Sequence, residues 1–263
     1  MNITSIEGKG IVNDSLYVRA LSMDDGATKF VIASLDVRAI GRTGPISNEF
    51  LGIVRSRIEE DLGIKSANIL ITATGVDQLA SLHGNMVSPD VENLTVMAVK
   101  EAWQNMVPVS VGVGTGNEDR IMENRRLRMK DGREWTIRHA NPMPPDEKVA
   151  GIGPVDPEIG ILRLDRKDGR TLAVVYNFAC HAYQGVPGRG VTADVPGFAS
   201  RVIEDNLSDG TIAVFLQGFL GDITTVLYKD VNHPRDAEPL GNMLGLSTLK
   251  ALREITCSAT NSL

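Results

Sequence analysis

The chain has 263 residues, 42% of them hydrophobic, which is enough for a substantial core, and we expect a single domain over residues 1–263. The formal net charge of −6 argues against nucleic acid as a partner, because phosphate binding needs clustered lysine and arginine residues. The sequence has no basic start followed by an apolar run, and no stretch approaches the roughly 20 apolar residues that span a bilayer, so we expect a cytoplasmic protein without a membrane partner.

Strand-like and helix-like patterns alternate in the first half of the chain. Apolar and β-branched residues over 16–22 and 30–37, joined by the turn Asp24-Asp25-Gly26, predict a β-hairpin. Apolar residues at three- and four-residue spacing predict a helix over 46–62 that stops at Gly63. The same criteria predict, in order, a strand over 68–74, a helix over 91–106 and a strand over 109–113.

The second half introduces antiparallel hairpins. The turns Lys130-Asp131-Gly132 and Lys167-Asp168-Gly169 predict hairpins over 127–138 and 160–180, separated by an irregular loop over 141–157 with five prolines. A helix over 196–206, a buried strand over 211–219 and a helix over 239–255 are predicted next. Together these elements predict an α/β fold, with a mixed sheet, flanking helices and antiparallel hairpins.

A glycine-rich segment over 112–117 invites comparison with phosphate-binding loops. It lacks the lysine and the glycine spacing that such loops require, and no helical pattern follows it directly. We therefore interpret the segment as a glycine-rich turn.

Polar residues cluster where apolar runs end in the stretch from 177 to 224. The run NFACH ends in His181, TADVPG contains Asp194, and FLQGFLGDIT contains Gln217, Asp222 and Thr224. Functional groups on α/β scaffolds collect at such strand ends, so this stretch is the predicted site.

An ordered set of motifs supports a family resemblance. From about Gly10 to about Leu252 the chain resembles the N-terminal catalytic domain of the neutral/alkaline ceramidase family. The motifs are LYVRALSMDDG (16–26), SLDV (34–37), NILITAT (68–74), NRR (124–126), VDPEIGILRLDRKDGR (155–170), NFACH (177–181), TADVPG (192–197) and LQGFLGDIT (216–224). The resemblance implies a ceramidase-like fold and a zinc-dependent amidase that cleaves an N-acyl bond.

The resemblance also implies roles for individual residues. His181 matches a zinc-binding histidine, whereas the family's HTH zinc motif aligns with Gly75-Val76-Asp77, so the chain is a divergent member. Asp222 and Thr224 match the aspartate and the serine of the family's GDVSPN motif. Asn124, Arg125 and Arg126 match a segment that lines the substrate cleft. Two further family zinc ligands, a glutamate and a tyrosine, would come from beyond Leu263, which makes the chain a shortened member.

A metal site on this chain would need other ligands, because catalytic zinc normally takes three from the protein. Asp77 can supply an oxygen, and His83 lies eight residues beyond Gly75. A set of His181 with Asp77, His83 or Asp194 gives a mixed nitrogen and oxygen shell that suits zinc and is tolerated by manganese or iron.

Each of these residues also has a structural interpretation. His181 has the pattern of a core histidine that is bonded to backbone. Asp194 has the pattern of a helix N-cap, which would contribute about 1 kcal/mol. Arg125 and Arg126 have the pattern of a solvated pair. Thr224 needs a neighbouring base or metal before its hydroxyl becomes a nucleophile. Asp222 ends a buried stretch, so we expect a partner for its carboxylate.

Two functions are compatible with these patterns. The first is a metal-dependent hydrolase that cleaves an amide or related acyl bond of a soluble small molecule, with Asp222 orienting water, Asp194 and Thr224 in the catalytic group, and Gln217 and the arginines binding substrate. The second is a ceramidase-like scaffold without metal that binds a small molecule or a partner protein. A homo-oligomer in which a second copy completes the cleft is a further expectation.

Overall fold

Strands and helices alternate along the chain in the computed structural model, which describes residues 1–5, 11–42, 46–76, 86–137, 143–187, 190–225, 227–228 and 235–259. The strands are β1 Val18–Asp24, β2 Lys29–Leu35, β3 Ile69–Ala73, β4 Val109–Asn117, β5 Glu123–Asn124, β6 Arg126–Met129, β7 Glu134–Thr136, β8 Val149–Ile152, β9 Glu158–Arg166, β10 Thr171–Phe178, β11 Ile212–Gln217 and β12 Ile223–Thr224. The helices are α1 Phe50–Leu62, α2 Val91–Gln104, α3 Asp194–Asp205 and α4 Ala237–Leu252. None of these described helices has the length and apolarity needed to cross a membrane.

Two main sheets carry the fold, and both are mixed. The first has the order β1-β2-β3, with β1 antiparallel and β3 parallel to β2. The second has the order β11-β10-β9-β4, in which only the β10–β11 pair is parallel. The predicted class, an α/β fold with flanking helices and antiparallel hairpins, is confirmed. Seven of the described strands are divided between the two main sheets, and the others form the smaller sheets β12-β5 and β7-β6-β8.

The two sheets pack face to face, with helices on both outer sides. In β2, Val31 and Leu35 pack with α1 and α2, whereas Ile32 packs with the second sheet. In β11, Val214 faces the first sheet and Phe215 packs with α3 and α4. Alternate side chains of a strand point to opposite faces, so a strand buried on both sides reads as a continuous apolar run. The result is four layers in the order helix, sheet, sheet, helix.

Helices α3 and α4 approach each other closely at a glycine. A Cβ atom on Gly241 would lie 2.4 Å from the Cβ of Phe198 and 2.8 Å from the carbonyl oxygen of Val195. Only glycine permits this approach, which presses α4 against the first turn of α3. That first turn borders the candidate site.

The glycine-rich segment over 112–117 is part of β4, so its interpretation as a turn is wrong. A Cβ on Gly112 or Gly114 would lie 2.7 or 2.6 Å from the side chain of Ile255. The chain after α4 packs onto this strand and pairs with it at Val111 and Ser258. The glycines therefore serve close packing and not chain reversal.

Three further sequence predictions need correction. Helix α1 begins at Phe50 and not at position 46, because Ile46 is used in a bridge to Ile40. Helix α3 begins at Asp194, two residues earlier than predicted. The predicted irregular loop over 141–157 contains β8, which pairs with β6. The predicted stop of α1 is confirmed, since Gly63 has a φ of 64° and caps the helix.

Candidate active site

The carboxyl ends of several strands meet at one edge of the two sheets. The hydroxyl of Ser34 in β2 donates to the carbonyl oxygen of Phe215 in β11 at 2.6 Å, which joins the two sheets near these ends. A Cβ on Gly75, just after β3, would lie 3.1 Å from Oε1 of Gln217, the last residue of β11. Ligands of α/β proteins commonly bind at such edges, which makes this edge the candidate site.

Two buried polar atoms at this edge lack a hydrogen-bond partner among the described residues. They are Oε1 of Gln217 and the hydroxyl of Thr74, which directly follows β3. The amide nitrogen of Gln217 is already engaged, because it donates to the carbonyl oxygen of Gly218 at 3.1 Å. An unsatisfied buried polar group costs about 1–3 kcal/mol, and such groups in a native fold call for a water or a ligand.

A short antiparallel pair brings Asp222 to Asn124. Strand β12 pairs with β5, and the side-chain amide of Asn124 donates to Oδ2 of Asp222 at 3.1 Å. Asn124 is buried, whereas 44% of the Asp222 side chain is exposed. The amide of Asn124 is itself fixed by a second bond of 2.9 Å to the carbonyl oxygen of Pro154. The partner expected for Asp222 is therefore present, and it holds a carboxylate that solvent can reach.

The two predicted substrate-binding arginines differ in their surroundings. The backbone N–H of Arg125 donates to the carbonyl oxygen of Asp222 at 2.8 Å, and its guanidinium donates to the carbonyl oxygen of Gly221. Arg126 pairs with Glu134 at 3.2 Å on the exposed surface and lies 3.9 Å from Asp222. Exposed pairs of this kind contribute about 0–1 kcal/mol. Arg125 is thus the better-placed cation of the two.

His181 and Thr224 are connected through Tyr183. The ring of Tyr183 lies 4.8 Å from that of His181, between centroids, and its hydroxyl hydrogen-bonds the hydroxyl of the buried Thr224. Burial raises the pKa of Tyr183 above its ordinary value, and the charge of Arg125 partly opposes this. The phenol is therefore protonated at neutral pH.

Sequence reasoning did not identify Tyr183. The sequence does place Tyr183 two residues after His181, just beyond a predicted strand. Residues two apart in an extended segment lie on one face, so this spacing could have predicted that the two rings are close. Apart from its place beside His181, nothing in the sequence connects Tyr183 with Thr224, which lies 41 positions further along the chain.

Asp194 is fully buried and binds backbone groups through both carboxylate oxygens. Oδ2 accepts the N–H of Gly185 at 2.6 Å, and Oδ1 accepts that of Val195 at 2.7 Å. Burial raises the pKa of Asp194 to about 6. The helix N-cap is Ala193, which makes no side-chain bond, so the alternative of Asp194 as the N-cap is wrong by one position. Asp194 instead ties the segment after Tyr183 to the start of α3.

The backbone of Asp194 is also unusual. Its φ of 52° lies in the left-handed region that residues other than glycine rarely adopt. Strained backbone of this kind is found preferentially at functional sites, where the surrounding structure maintains it.

The structure describes only some of the predicted metal ligands. His181 is described and half-buried, whereas Asp77 and His83 lie outside the described residues. Within the described part of the chain, no group of three or more His, Cys, Asp or Glu residues is placed to hold a metal ion. Asp194, the alternative oxygen ligand, already binds two N–H groups. The described donors alone therefore do not fit a metal ion.

Comparison with known proteins indicates the fold. No family model and no curated protein matches the sequence. Among solved structures, a ceramidase complexed with C2 matches with a TM-score of 0.70 and 16% identity, over 96% of this chain and 41% of that one. The neutral ceramidase from Pseudomonas aeruginosa matches with a TM-score of 0.69 and 14% identity, over 96% of this chain and 42% of that one. The chain spans about two-fifths of the length of these structures. It has a ceramidase-like fold, which the sequence motifs predicted.

Proposed function

We propose that the protein is a hydrolase that cleaves an amide or related acyl bond of a soluble small molecule. The observation that supports this most is a set of contacts in a ceramidase-like fold. Tyr183 joins His181 to Thr224, Asn124 holds Asp222, and Oε1 of Gln217 is buried beside Gly75. A buried acceptor, an accessible carboxylate, hydroxyls and an imidazole are the groups that acyl-bond hydrolysis requires.

The contacts suggest a role for each group. Oε1 of Gln217 would accept a hydrogen bond from the N–H of a substrate amide, which would give this buried atom its missing partner. Asp222, held by Asn124, would orient the attacking water. Arg125 would bind a carboxylate or another polar end of the substrate, because its guanidinium donates to the carbonyl oxygen of Gly221, the residue before Asp222.

A metal ion remains part of this proposal. His181 would bind zinc, with manganese or iron as alternatives, together with Asp77 and His83, because the carboxylate of Asp194 is bound to backbone N–H groups. A divalent ion bound there would polarise the acyl carbonyl and lower the pKa of a bound water to about 7.

The proposed substrate is small and soluble. Aromatic residues make up only 5% of the chain. Phe219 is the most exposed of them. A lone exposed apolar residue needs no lipid partner to explain it. We propose a cytoplasmic protein, with a homo-oligomer as a further possibility in which a second copy completes the cleft.

One observation favours a second function. The described residues contain no cluster of three potential metal ligands, and the carboxylate of Asp194 is committed to backbone groups. A ceramidase-like scaffold that binds a small molecule or partner without hydrolysing it would have these features. Replacing His181 in such a scaffold would alter packing alone.

The test of the hydrolase is turnover with an isosteric variant. Wild-type protein should hydrolyse members of a panel of N-acyl p-nitroanilides and acyl p-nitrophenyl esters. Asp222→Asn should lower kcat/KM by about 100-fold, because a neutral amide orients and polarises the attacking water less strongly than a carboxylate does. The matched control is Asp131→Asn, at an exposed hairpin turn, which should keep the wild-type rate. Full activity of Asp222→Asn, or no turnover by the wild type, would reject the proposal.

A further inference from the structure

A cavity opens between helices α2 and α3, at the opposite end of β11 from the candidate active site. Its volume is about 740 Å³, which is within the range of sites that bind small molecules. Ile212, the first residue of β11, lines this cavity, whereas Gln217, the last, lies at the candidate active site. Five steps along a strand separate the two residues by about 17 Å, so the cavity is separate from that edge.

Small residues on the two helices leave room for this cavity. Ala98 and Ala102 lie one turn apart in α2, and Gly197 lies in the first turn of α3. Leu172 and Ile212 contribute apolar surface, and Ile212 is 41% exposed. An apolar group in the cavity would cover this surface, and its removal from water would favour binding.

Two of the three acidic residues that line the cavity, among those the structure describes, are already bonded to the protein. Glu204 pairs with Arg19 at 3.1 Å and accepts a backbone N–H of β11 at 3.0 Å. Asp14 accepts the N–H of Ala193 at 2.7 Å. The third, Glu101, is exposed on α2. The cavity therefore has little free capacity to bind a cation.

The arginines of the cavity keep unused donors. Arg166 makes no side-chain hydrogen bond to the described part of the chain. Arg201 lies 3.8 Å from Glu238 in an exposed pair that solvent screens. Arg19 uses two of its five N–H donors on carboxylates of the described residues. Because a guanidinium binds a carboxylate through paired N–H donors, the cavity is suited to an anion.

We propose that this cavity is a second ligand site, which binds a small organic carboxylate. The guanidinium groups of Arg166 and Arg201 bind the carboxylate, and the apolar body of the ligand covers Leu172 and Ile212. The site does not depend on the proposed hydrolase, because no residue of the candidate active site takes part in it.

Isothermal titration calorimetry of the full chain tests this site with three probes: 3-phenylpropionate, its neutral amide and inorganic phosphate. The carboxylate should bind with a Kd below about 1 mM, and about 10-fold or more tightly than the amide or phosphate. Arg166→Gln and Arg201→Gln should each weaken binding by about 10-fold, because each removes charged donors. Ala102→Phe, which fills the cavity, should abolish binding.

The matched control is Arg133→Gln, at an exposed hairpin turn away from the cavity, which should bind like the wild type. Arg125→Gln should also keep the wild-type affinity. A loss there that is absent from Arg166→Gln would place the probe at the candidate active site and overturn the inference. Equal binding of the carboxylate and its amide, tighter binding of phosphate, or no binding of any probe would overturn it too. If Ala102→Phe is unstable, the two arginine variants decide the result.

Discussion

Asp36→Ala should lower the free energy of unfolding by about 3 kcal/mol, because it breaks a buried network that joins the layers of the fold. Oδ2 of Asp36 accepts the N–H of Tyr17 at 2.9 Å and pairs with Arg19 at 3.1 Å. Arg19 also pairs with Glu204 of α3 at 3.1 Å, and Glu204 accepts the N–H of Ala213 in β11 at 3.0 Å. The alanine variant would remove the acceptor of the partly buried N–H of Tyr17 and one of the two carboxylates beside Arg19.

The pKa of Asp36 indicates why Asp36→Ala should lower the free energy of unfolding. Burial raises this pKa, even though Arg19 lies beside the carboxylate. Burial alone therefore disfavours the charged form of Asp36. The carboxylate stabilises the fold because it neutralises the buried charge of Arg19. The double variant Asp36→Ala, Arg19→Met should consequently lose less stability than the sum of the two single variants.

An exposed ion pair provides the control. Lys100 and Asp61 lie 2.8 Å apart with 39% and 38% of their side chains exposed. Asp61→Ala should cost less than about 1 kcal/mol, since solvent screens this pair. Urea unfolding of the two single variants, the double variant and the control gives the comparison. A loss in Asp36→Ala no larger than in Asp61→Ala would contradict the importance of the network.

The stability of the protein should depend on pH through Asp194. Burial raises the pKa of Asp194 from 3.8 to about 6, so the folded state favours the protonated carboxyl. Its contribution to stability is fully present below pH 3.8, declines as the pH rises and is lost above the folded pKa of about 6. A shift of this size corresponds to at most about 3 kcal/mol.

Asp194→Asn isolates this contribution. The asparagine cannot ionise, whereas all other titrating groups are common to both proteins and cancel in the difference. The free energy of unfolding of Asp194→Asn minus that of the wild type should therefore increase between pH 4 and pH 7, by up to about 3 kcal/mol. Urea unfolding at half-unit pH steps measures it. A difference that is constant with pH, or that decreases, would show that the carboxylate is not destabilised by burial.

The fold was predictable where local patterns determine structure. Turns with glycine at the required position, such as Asp24-Asp25-Gly26, and the glycine stop at Gly63 act over a few residues, so the sequence reveals them. Division of the strands between two sheets depends on contacts between distant residues, such as Ser34 with Phe215. The interpretation of the glycines at 112 and 114 as a turn is wrong for the same reason. Their lack of a side chain makes room for Ile255, which is distant in the sequence.

The sequence predicts candidate site residues, but it does not predict the contacts that join them. Strand ends and family motifs predict His181, Gln217 and Asp222 as site residues, and in the structure Gln217 lies beside Gly75 and Asp222 beside Asn124. Tyr183 belongs to no motif, and its partner is distant in the sequence. The bonds of Asp194 to Gly185 and Val195 also arise only when the segment after β10 folds against α3.

The metal content of the purified protein tests most directly whether this edge is a metal-assisted hydrolytic site. Elemental analysis of wild type should find near-stoichiometric zinc, manganese or iron. His181→Ala and Asp77→Ala should each lose most of it, while the exposed Asp131→Ala should retain the wild-type content. A wild-type protein that stays free of metal after incubation with excess ion would contradict the metal-assisted mechanism and favour the binding scaffold.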